Sequence, residues 1–440
     1  MARILRLVVL FTVLSLSAAM FSGARAQSSI YPNDPLFAQQ WYLHNTGQEG
    51  GKPGADIHAP EAWSITRCSP RIIIADIDTG VDATQPDLVS QLVPGMAFGT
   101  GNSSTADEQG HGTLTAGVIA AAGDNGIGIS GVCPLGHVMP LRIHDIANGS
   151  FDHVNSYRVA RAIRWAVNHG ARVINMSIGV DYTPELEAAA QYAYNHGVVQ
   201  VAAAGNSGGK TTLYPADLPH VLAVGGTDNR DARWTGSSYG PNQAFVLAPA
   251  KNILSTTADG SYREFTGTSL ATPQVTGLAA LLLSVRPDLT VDQVIAAIEQ
   301  GADFVQGQTG DDEKDGFGRI DCYRSLQIAE GMSSATPVET PGPTDTPEPL
   351  FAATTSLTMK TLKAGQKQTL RVTARAGAHI ATQIDYSNLS VSSHGGTVDA
   401  SGHYRYSWRV PRIRGKADVN VDVTTDDGER AIAHAHFMIR

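Results

Sequence analysis

The stretch from Tyr157 to Asn206 contains YRVARAIRWAVNHG, ARVINMSIG, PELEAAAQYAYNHG and VVQVAAAGN in that order. The first and third runs read as helices. The second and fourth are short apolar runs of strand length, and the exits between elements are short and contain glycine. Strand, helix, strand in this rhythm predicts a parallel sheet covered by helices, because parallel neighbours need a crossover and a sheet covered on both faces carries nearly continuous apolar strands. Upstream, RIIIADID over 71–78 reads as a further buried strand and HGTLTAGVIAAA over 111–122 as a further helix. Downstream, Thr290 stands three residues before Gln293 and opens VDQVIAAIEQ as a capping box. This α/β unit ends near residue 330.

Residues 331–350 contain SSATPVETPGPTDTPEP, a Pro/Thr-rich run with almost no large apolar residue, which reads as an extended linker. Beyond it the texture changes to alternation, as in TLRVTARA, ADVNVDVTT and AIAHAHFMI, with Asp427-Gly428 between the last two. Period two with turn signals predicts a small all-β, Ig-like antiparallel sandwich over 351–440. Tyr404, Tyr406 and Trp408 fall on one face of one of its strands, where they read as core rather than as a sugar platform.

With 440 residues the chain exceeds what one core usually supports, which agrees with two units. Its 32 basic and 41 acidic residues exclude a histone-like or polybasic binder. Arg3 and Arg6, the apolar run from Leu7 to Val13 and Ala24-Arg25-Ala26 read as a signal peptide over residues 1–26, cut before Gln27. An exported, secreted protein with no membrane span follows. Residues 351–440 carry twelve Lys/Arg against seven Asp/Glu, and residues 27–350 carry 17 against 34, so a basic unit is tethered to an acidic one. Exposed Arg412, Arg414 and Lys416 suit docking on an anionic surface. Cys68, Cys133 and Cys322 allow one disulfide in three possible pairings.

Three motifs carry chemistry. Gly267-Thr268-Ser269 precedes the apolar helix QVTGLAALLLSV, which puts a serine beside the unpaired N–H groups of a helix start. Asp78 closes a buried strand, followed by Thr79-Gly80, and His111 opens a helix in Gly110-His111-Gly112-Thr113. A serine hydroxyl becomes a good nucleophile when a histidine takes its proton and a buried carboxylate holds that histidine. The chain order is Asp78, His111, Ser269.

In these motifs, in this order and on this βα pattern, residues 31–330 resemble the subtilisin-like serine proteases, the subtilases. The resemblance implies a parallel sheet flanked by helices, peptide-bond hydrolysis by a serine endopeptidase, and polypeptide substrates. It implies Asp78 as the orienting acid, His111 as general base and acid, and Ser269 as nucleophile. Asn206, in VAAAGN, matches the asparagine that donates to the oxyanion. Ser177, Ile178 and Gly179 match one edge of the substrate cleft, with Ala204 and Gly205 on the opposite wall. The segment GDNGIGI after the His111 helix resembles the family's calcium loop, with Asp34, Asp87, the Asn125 side chain and the carbonyls of Ile127 and Ile129 as ligands. The family's topology favours the pair Cys68–Cys133, leaving Cys322 reduced and buried.

Departures from the family pattern carry expectations of their own. Leu270 follows the nucleophile where methionine is common, so tolerance to peroxide is expected. Leu213, before Tyr214-Pro215, stands where a smaller residue usually widens the primary pocket. The family-like segment starting at Tyr31 follows the predicted cut so closely that no folded pro-segment is expected, and ion binding takes over its stabilising role. A monomer with no nucleic-acid partner is expected.

Two further motifs are decoys. Asp78-Thr79-Gly80 matches an aspartic-protease triplet, but that chemistry needs a second such triplet, and none exists in the chain. Gly236-Ser237-Ser238-Tyr239-Gly240 matches a lipase elbow, but Pro241 and an extended run follow where a helix is required. The acidic run Asp311-Asp312-Glu313-Lys314-Asp315 reads as a solvated loop. The rival from another class is a binding protein that keeps the fold without activity.

Overall fold

The computed structural model describes residues 30–333 and 354–440, apart from 99–103, 145, 148–149, 152–155, 211–212, 241–243, 311, 375–376, 387–388, 412–414 and 425–429. The signal segment, most of the linker, Arg412, Arg414 and Asp427-Gly428 lie outside the described residues.

A seven-stranded sheet organises the first unit: β1 (Ile73–Asp78), β2 (Met96–Ala97), β3 (His137–Arg142), β4 (Ala171–Met176), β5 (Val199–Ala203), β6 (Val221–Thr227) and β7 (Phe245–Pro249). Every neighbouring pair is parallel, in the order β2-β3-β1-β4-β5-β6-β7. Helices α1 (Ala59–Trp63), α2 (His111–Ala120), α3 (Ser156–Asn168), α4 (Pro184–Asn195), α5 (Thr268–Val285), α6 (Val291–Gly301) and α7 (Cys322–Gly331) cover it. Two apolar cores result. Ile74, Val173 and Val201 pack toward α2 and α5, while Ala75, Ile77, Ile174 and Ala202 pack toward α3 and α4. Burial on both faces is why these strands read as unbroken apolar runs.

Local signals set the helix starts. Thr290 and Gln293 form the predicted reciprocal cap of α6, and Thr183 caps α4 ahead of Pro184. Helix α5 is long and apolar enough to cross a membrane, and it is instead the buried central helix of the sheet's first face.

The strand order explains where a site can form. From β1 the chain builds outward to β3 on one side, then crosses to β4 on the other side and continues to β5. Connections therefore diverge above the C-terminal ends of β1 and β4, leaving a crevice there. Asp78 is the last residue of β1, and Ser177 to Gly179 directly follow β4. The period of two along β1 also puts Asp76 and Asp78 on one face.

The second unit has two sheets. One contains β10 (Thr354–Leu357), β12 (Lys367–Thr373) and β15 (His403–Arg409), after the short hairpin β8 (Ile253–Thr256) and β9 (Tyr262–Phe265) of the first unit. The other runs β11 (Thr361–Leu362), β17 (Arg430–Ile439), β16 (Gly415–Thr424), β13 (His379–Tyr386) and β14 (Leu389–Thr397). Leu370 and Val372 from the first sheet and Val419, Val421 and Phe437 from the second share one core. Trp408 stacks on Tyr406 and meets Phe437 edge-on at 6.0 Å, so the aromatic stripe packs on that core. Lys416 pairs with Asp418 at 2.8 Å.

Cys68 and Cys133 form a disulfide with their Cα atoms 5.1 Å apart, and Cys322 is a buried free thiol.

Candidate active site

At the end of β1 the buried Asp78 carboxylate faces His111 Nδ1 with both oxygens, at 2.8 and 2.9 Å. Thr79 N also donates to Asp78 Oδ1 at 2.7 Å. The helix carrying His111 approaches the strand end closely because Gly112 has no side chain, and a Cβ there would collide with the Gly80 carbonyl. With Nδ1 engaged, Nε2 on the opposite ring edge remains for proton exchange. The imidazole is 30 % exposed. Burial alone would depress its pKa, but the charge and hydrogen bond of Asp78 outweigh that and raise it to about 9.

Asp107 holds the start of α2. Its carboxylate accepts from Gly110 N at 2.6 Å, Thr113 N at 2.8 Å, Thr113 Oγ1 at 2.6 Å and Thr79 Oγ1 at 2.8 Å. An anion there caps unpaired donors and opposes the positive end of the helix. Sequence reading passed over Asp107, although an aspartate shortly before a helix-opening Gly-His-Gly is a legible capping signal.

Ser269 is the second residue of α5, where its own N–H is among the donors a helix cannot satisfy internally. Asn206, three residues beyond β5, spends its side-chain oxygen on Thr268 N at 2.9 Å and Thr268 Oγ1 at 3.0 Å. Its amide donors are thereby left for another acceptor. A Cβ built on Gly267 would stand 3.2 Å from Ser269 Oγ and 3.6 Å from Asn206 Nδ2, so both groups border the same small space. Among the described residues no hydrogen bond joins Ser269 Oγ to His111.

The proposed cleft walls lie alongside. Ser177 turns its hydroxyl inward, donating to the Ser269 carbonyl at 2.9 Å. Gly179 and Gly205 face each other across Leu213: Leu213 Cδ1 would be 2.5 Å from a Cβ on Gly179 and 3.0 Å from one on Gly205. Ala204 N is paired to Val224 O at 2.9 Å, which fixes that wall to the sheet. Ile178 is half-buried between the walls and the α3–α4 core. The lipase-like Ser238 is buried and accepts from Ser207 N at 3.1 Å, a structural role.

The loop 123–129 wraps the other predicted cluster. Asp34 accepts from the N–H groups of Asp124, Asn125 and Gly126 at 2.9, 3.1 and 3.2 Å. Asp87 accepts from Asn125 Nδ2 at 2.8 Å and Ile129 N at 2.9 Å. Burial raises both carboxyls above their usual range, and the Asp87 charge adds to the rise at Asp34. A Cβ on Gly128 would collide with Asp87 Oδ2, so glycine keeps this cradle open. Two carboxylates, one amide and the carbonyls of Ile127 and Ile129 are a hard-oxygen set that fits a divalent cation. Asn125 presents its nitrogen to Asp87, so a cation there requires the amide to turn over and present Oδ1.

An α/β serine hydrolase is the class that this fold and site define. Residues 69–318 match the family model described as the Subtilase family. The chain is 40 % identical over 294 residues to the thermophilic serine proteinase of Bacillus sp. (strain AK1), which covers 66 % of this chain and 71 % of that protein. It is 37 % identical over 298 residues to thermitase of Thermoactinomyces vulgaris, covering 67 % of this chain and 99 % of that one. It is 28 % identical over 459 residues to the cell wall-associated protease of Bacillus subtilis (strain 168), covering 98 % of this chain and 50 % of that protein. The chain belongs to the subtilase family and is a serine-type endopeptidase acting on polypeptides.

Proposed function

We propose that the protein is a secreted endopeptidase whose Asp78, His111 and Ser269 act as a triad. Ser269 Oγ attacks the scissile carbonyl carbon while His111 Nε2 takes its proton and then gives it to the leaving amine. Asp78 holds Nδ1–H and stabilises the imidazolium. Asn206 Nδ2 and the Ser269 N–H receive the oxyanion, and water hydrolyses the acyl-enzyme through the same groups. The substrate backbone lies between Ser177–Ile178–Gly179 and Ala204–Gly205, where pairing with main chain favours broad specificity. The Ser269–His111 bond forms as substrate closes the site, since catalytic hydrogen bonds are often long without ligand.

The observation that carries this reading is the two-oxygen contact of Asp78 with His111, beside an asparagine whose acceptor oxygen is already occupied by Thr268. Kinetics of Ser269→Ala, His111→Ala and Asp78→Asn test it. Each folded variant loses kcat, Asp78→Asn by about 10⁴-fold, and wild-type kcat in any of them contradicts the assignment.

Export after removal of residues 1–26 fits this activity, and mass analysis of the mature N-terminus, expected at Gln27, tests it. Calcium is the cation proposed for Asp34, Asp87, Asn125, Ile127 and Ile129. Bound there, it offsets two buried carboxylates and ties the segment around Asp34 to the 123–129 loop. For the basic β unit we propose docking on an anionic surface, supported by its charge excess and by a full-span relative named as cell wall-associated. Binding of the full chain to isolated walls that is released by salt supports docking, and salt-independent binding contradicts it.

A further inference from the structure

Asp76 is an acid inside an apolar strand, 1 % exposed, and the mechanism above does not use it. We propose that Asp76 is a positioning residue for the triad: as an uncharged carboxylic acid, it is the hub of a buried hydrogen-bond chain joining the elements that carry His111, Asp78 and Ser269. The inference rests on the triad reading.

The chain can be followed atom by atom. Thr115 Oγ1, one helical turn past His111 on α2, lies 2.8 Å from Asp76 Oδ2 and 3.0 Å from the Gly112 carbonyl. Asn175 Nδ2 on β4 donates to Asp76 Oδ1 at 2.8 Å and to Ser177 Oγ at 3.1 Å. Ser177 Oγ donates to the Ser269 carbonyl at 2.9 Å. Thr276 Oγ1 on α5 anchors Asn175 by donating to its Oδ1 at 2.9 Å. The Ser269 carbonyl is free for Ser177 because Pro273, four residues on, has no N–H to give it. Thr115, Asn175, Thr276 and Ser177 are all buried, so water replaces none of these bonds.

Burial favours the neutral state of Asp76. Thr115 has one hydroxyl proton and two acceptors in reach, Asp76 Oδ2 and Gly112 O. With Asp76 ionised, a carboxylate 1 % exposed is left with two neutral hydrogen-bond donors, Thr115 Oγ1 and Asn175 Nδ2, and no cation in direct contact. With Asp76 protonated, Oδ2–H donates to Thr115, Thr115 donates to Gly112 O, and Asn175 donates to Oδ1, so every group is served. The titratable groups facing Asp76 are Asp78 on its own strand and His111 on α2. Its other neighbours are neutral: Asn175 on β4, Ser177 just after it, Thr276 from α5, and Pro140 across the register on β3. Burial, then the charge of Asp78, hold the Asp76 carboxyl far above the usual carboxylate range. His111 pairs directly with Asp78 and reaches Asp76 only at longer range.

Asparagine at 76 reproduces the neutral acid's pattern, donating to Thr115 and accepting from Asn175. Valine keeps the bulk and deletes the hub. The experiment compares wild type, Asp76→Asn, Asp76→Val and Thr115→Val by kcat, KM and thermal midpoint from pH 6 to 10 on one fluorogenic peptide. Fluorophosphonate labelling of wild-type Ser269 runs alongside. Asp76→Asn is expected to keep kcat within about threefold and to lose the alkaline fall in activity that ionisation of Asp76 imposes on the wild type. Folded Asp76→Val and Thr115→Val are expected to lose about 10- to 100-fold in kcat with KM little changed. Thr115→Val keeps the test open if Asp76→Val does not fold. The proposal is overturned if Asp76→Asn is as impaired as Asp76→Val, if its alkaline limb matches wild type, or if folded Thr115→Val keeps wild-type kcat. An unlabelled, folded wild type overturns the triad reading instead.

Discussion

Leu213 stands between the two glycines that line the cleft, with its Cδ1 placed where a side chain on Gly179 or Gly205 would need to be. In the proposed cleft the residue preceding the scissile bond enters this space, and on that reading Leu213 selects small side chains there. Leu213→Ala removes the obstruction. Because Leu213 is 38 % exposed and belongs to no buried cluster, the change costs little stability. Full burial of a Phe or Leu side chain is worth about 1.5–3 kcal/mol, which converts to a gain of roughly 10- to 150-fold in kcat/KM. An alanine in the same substrate position does not reach the vacated space and gains nothing. A series of peptide amides differing only at that residue reads the effect directly. The Phe-to-Ala ratio of kcat/KM is expected to rise by about 10- to 150-fold in the variant. An unchanged ratio in active, folded Leu213→Ala refutes the placement of the pocket.

Three other outcomes follow from the site. The general base must be neutral, and Asp78 raises the His111 pKa from its ordinary 6.5 toward about 9, so the acid limb of kcat/KM has its midpoint above 6.5. The stability that this pair contributes is complete below pH 6.5 and is lost as pH rises through the folded value, so activity rises as that contribution falls; an acid limb at or below 6.5 contradicts the pair. Calcium at 100 times its dissociation constant stabilises by about 2.7 kcal/mol, so chelation or Asp87→Asn lowers the thermal midpoint by roughly 4 °C. An unchanged midpoint on calorimetry in both cases removes the site. Leu270 is buried beside the nucleophile and carries no thioether, so peroxide leaves activity intact, whereas Leu270→Met introduces an oxidisable group and sensitivity. Peroxide inactivation of the wild type counts against this.

The α/β architecture was readable because its strands are buried on both faces and separated by helices, which gives apolar runs a length no other arrangement explains. Asp78, His111 and Ser269 stood out because each sits at the boundary of an element, a strand end or a helix start, and such boundaries leave composition signals. What escaped reading depends on partners distant in the chain. Asp76 looks like part of the strand that ends in Asp78, and its separate role emerges only when Thr115 and Asn175 are seen to converge on it. The orientation of Asn206 depends on Thr268, 62 residues away. The direction of the Asn125 amide likewise depends on Asp87, and the position of Leu213 between two glycines on a turn that brings Tyr214 beside Val180.

The central claim is that Ser269 is a nucleophile activated by His111. Its most direct test is intact mass followed by peptide mapping of calcium-loaded protein after exposure to a fluorophosphonate, with His111→Ala in parallel. One adduct on Ser269 in the wild type, formed far more slowly in His111→Ala, is the predicted result. No adduct on folded wild-type protein, or equal labelling of both proteins, contradicts the claim.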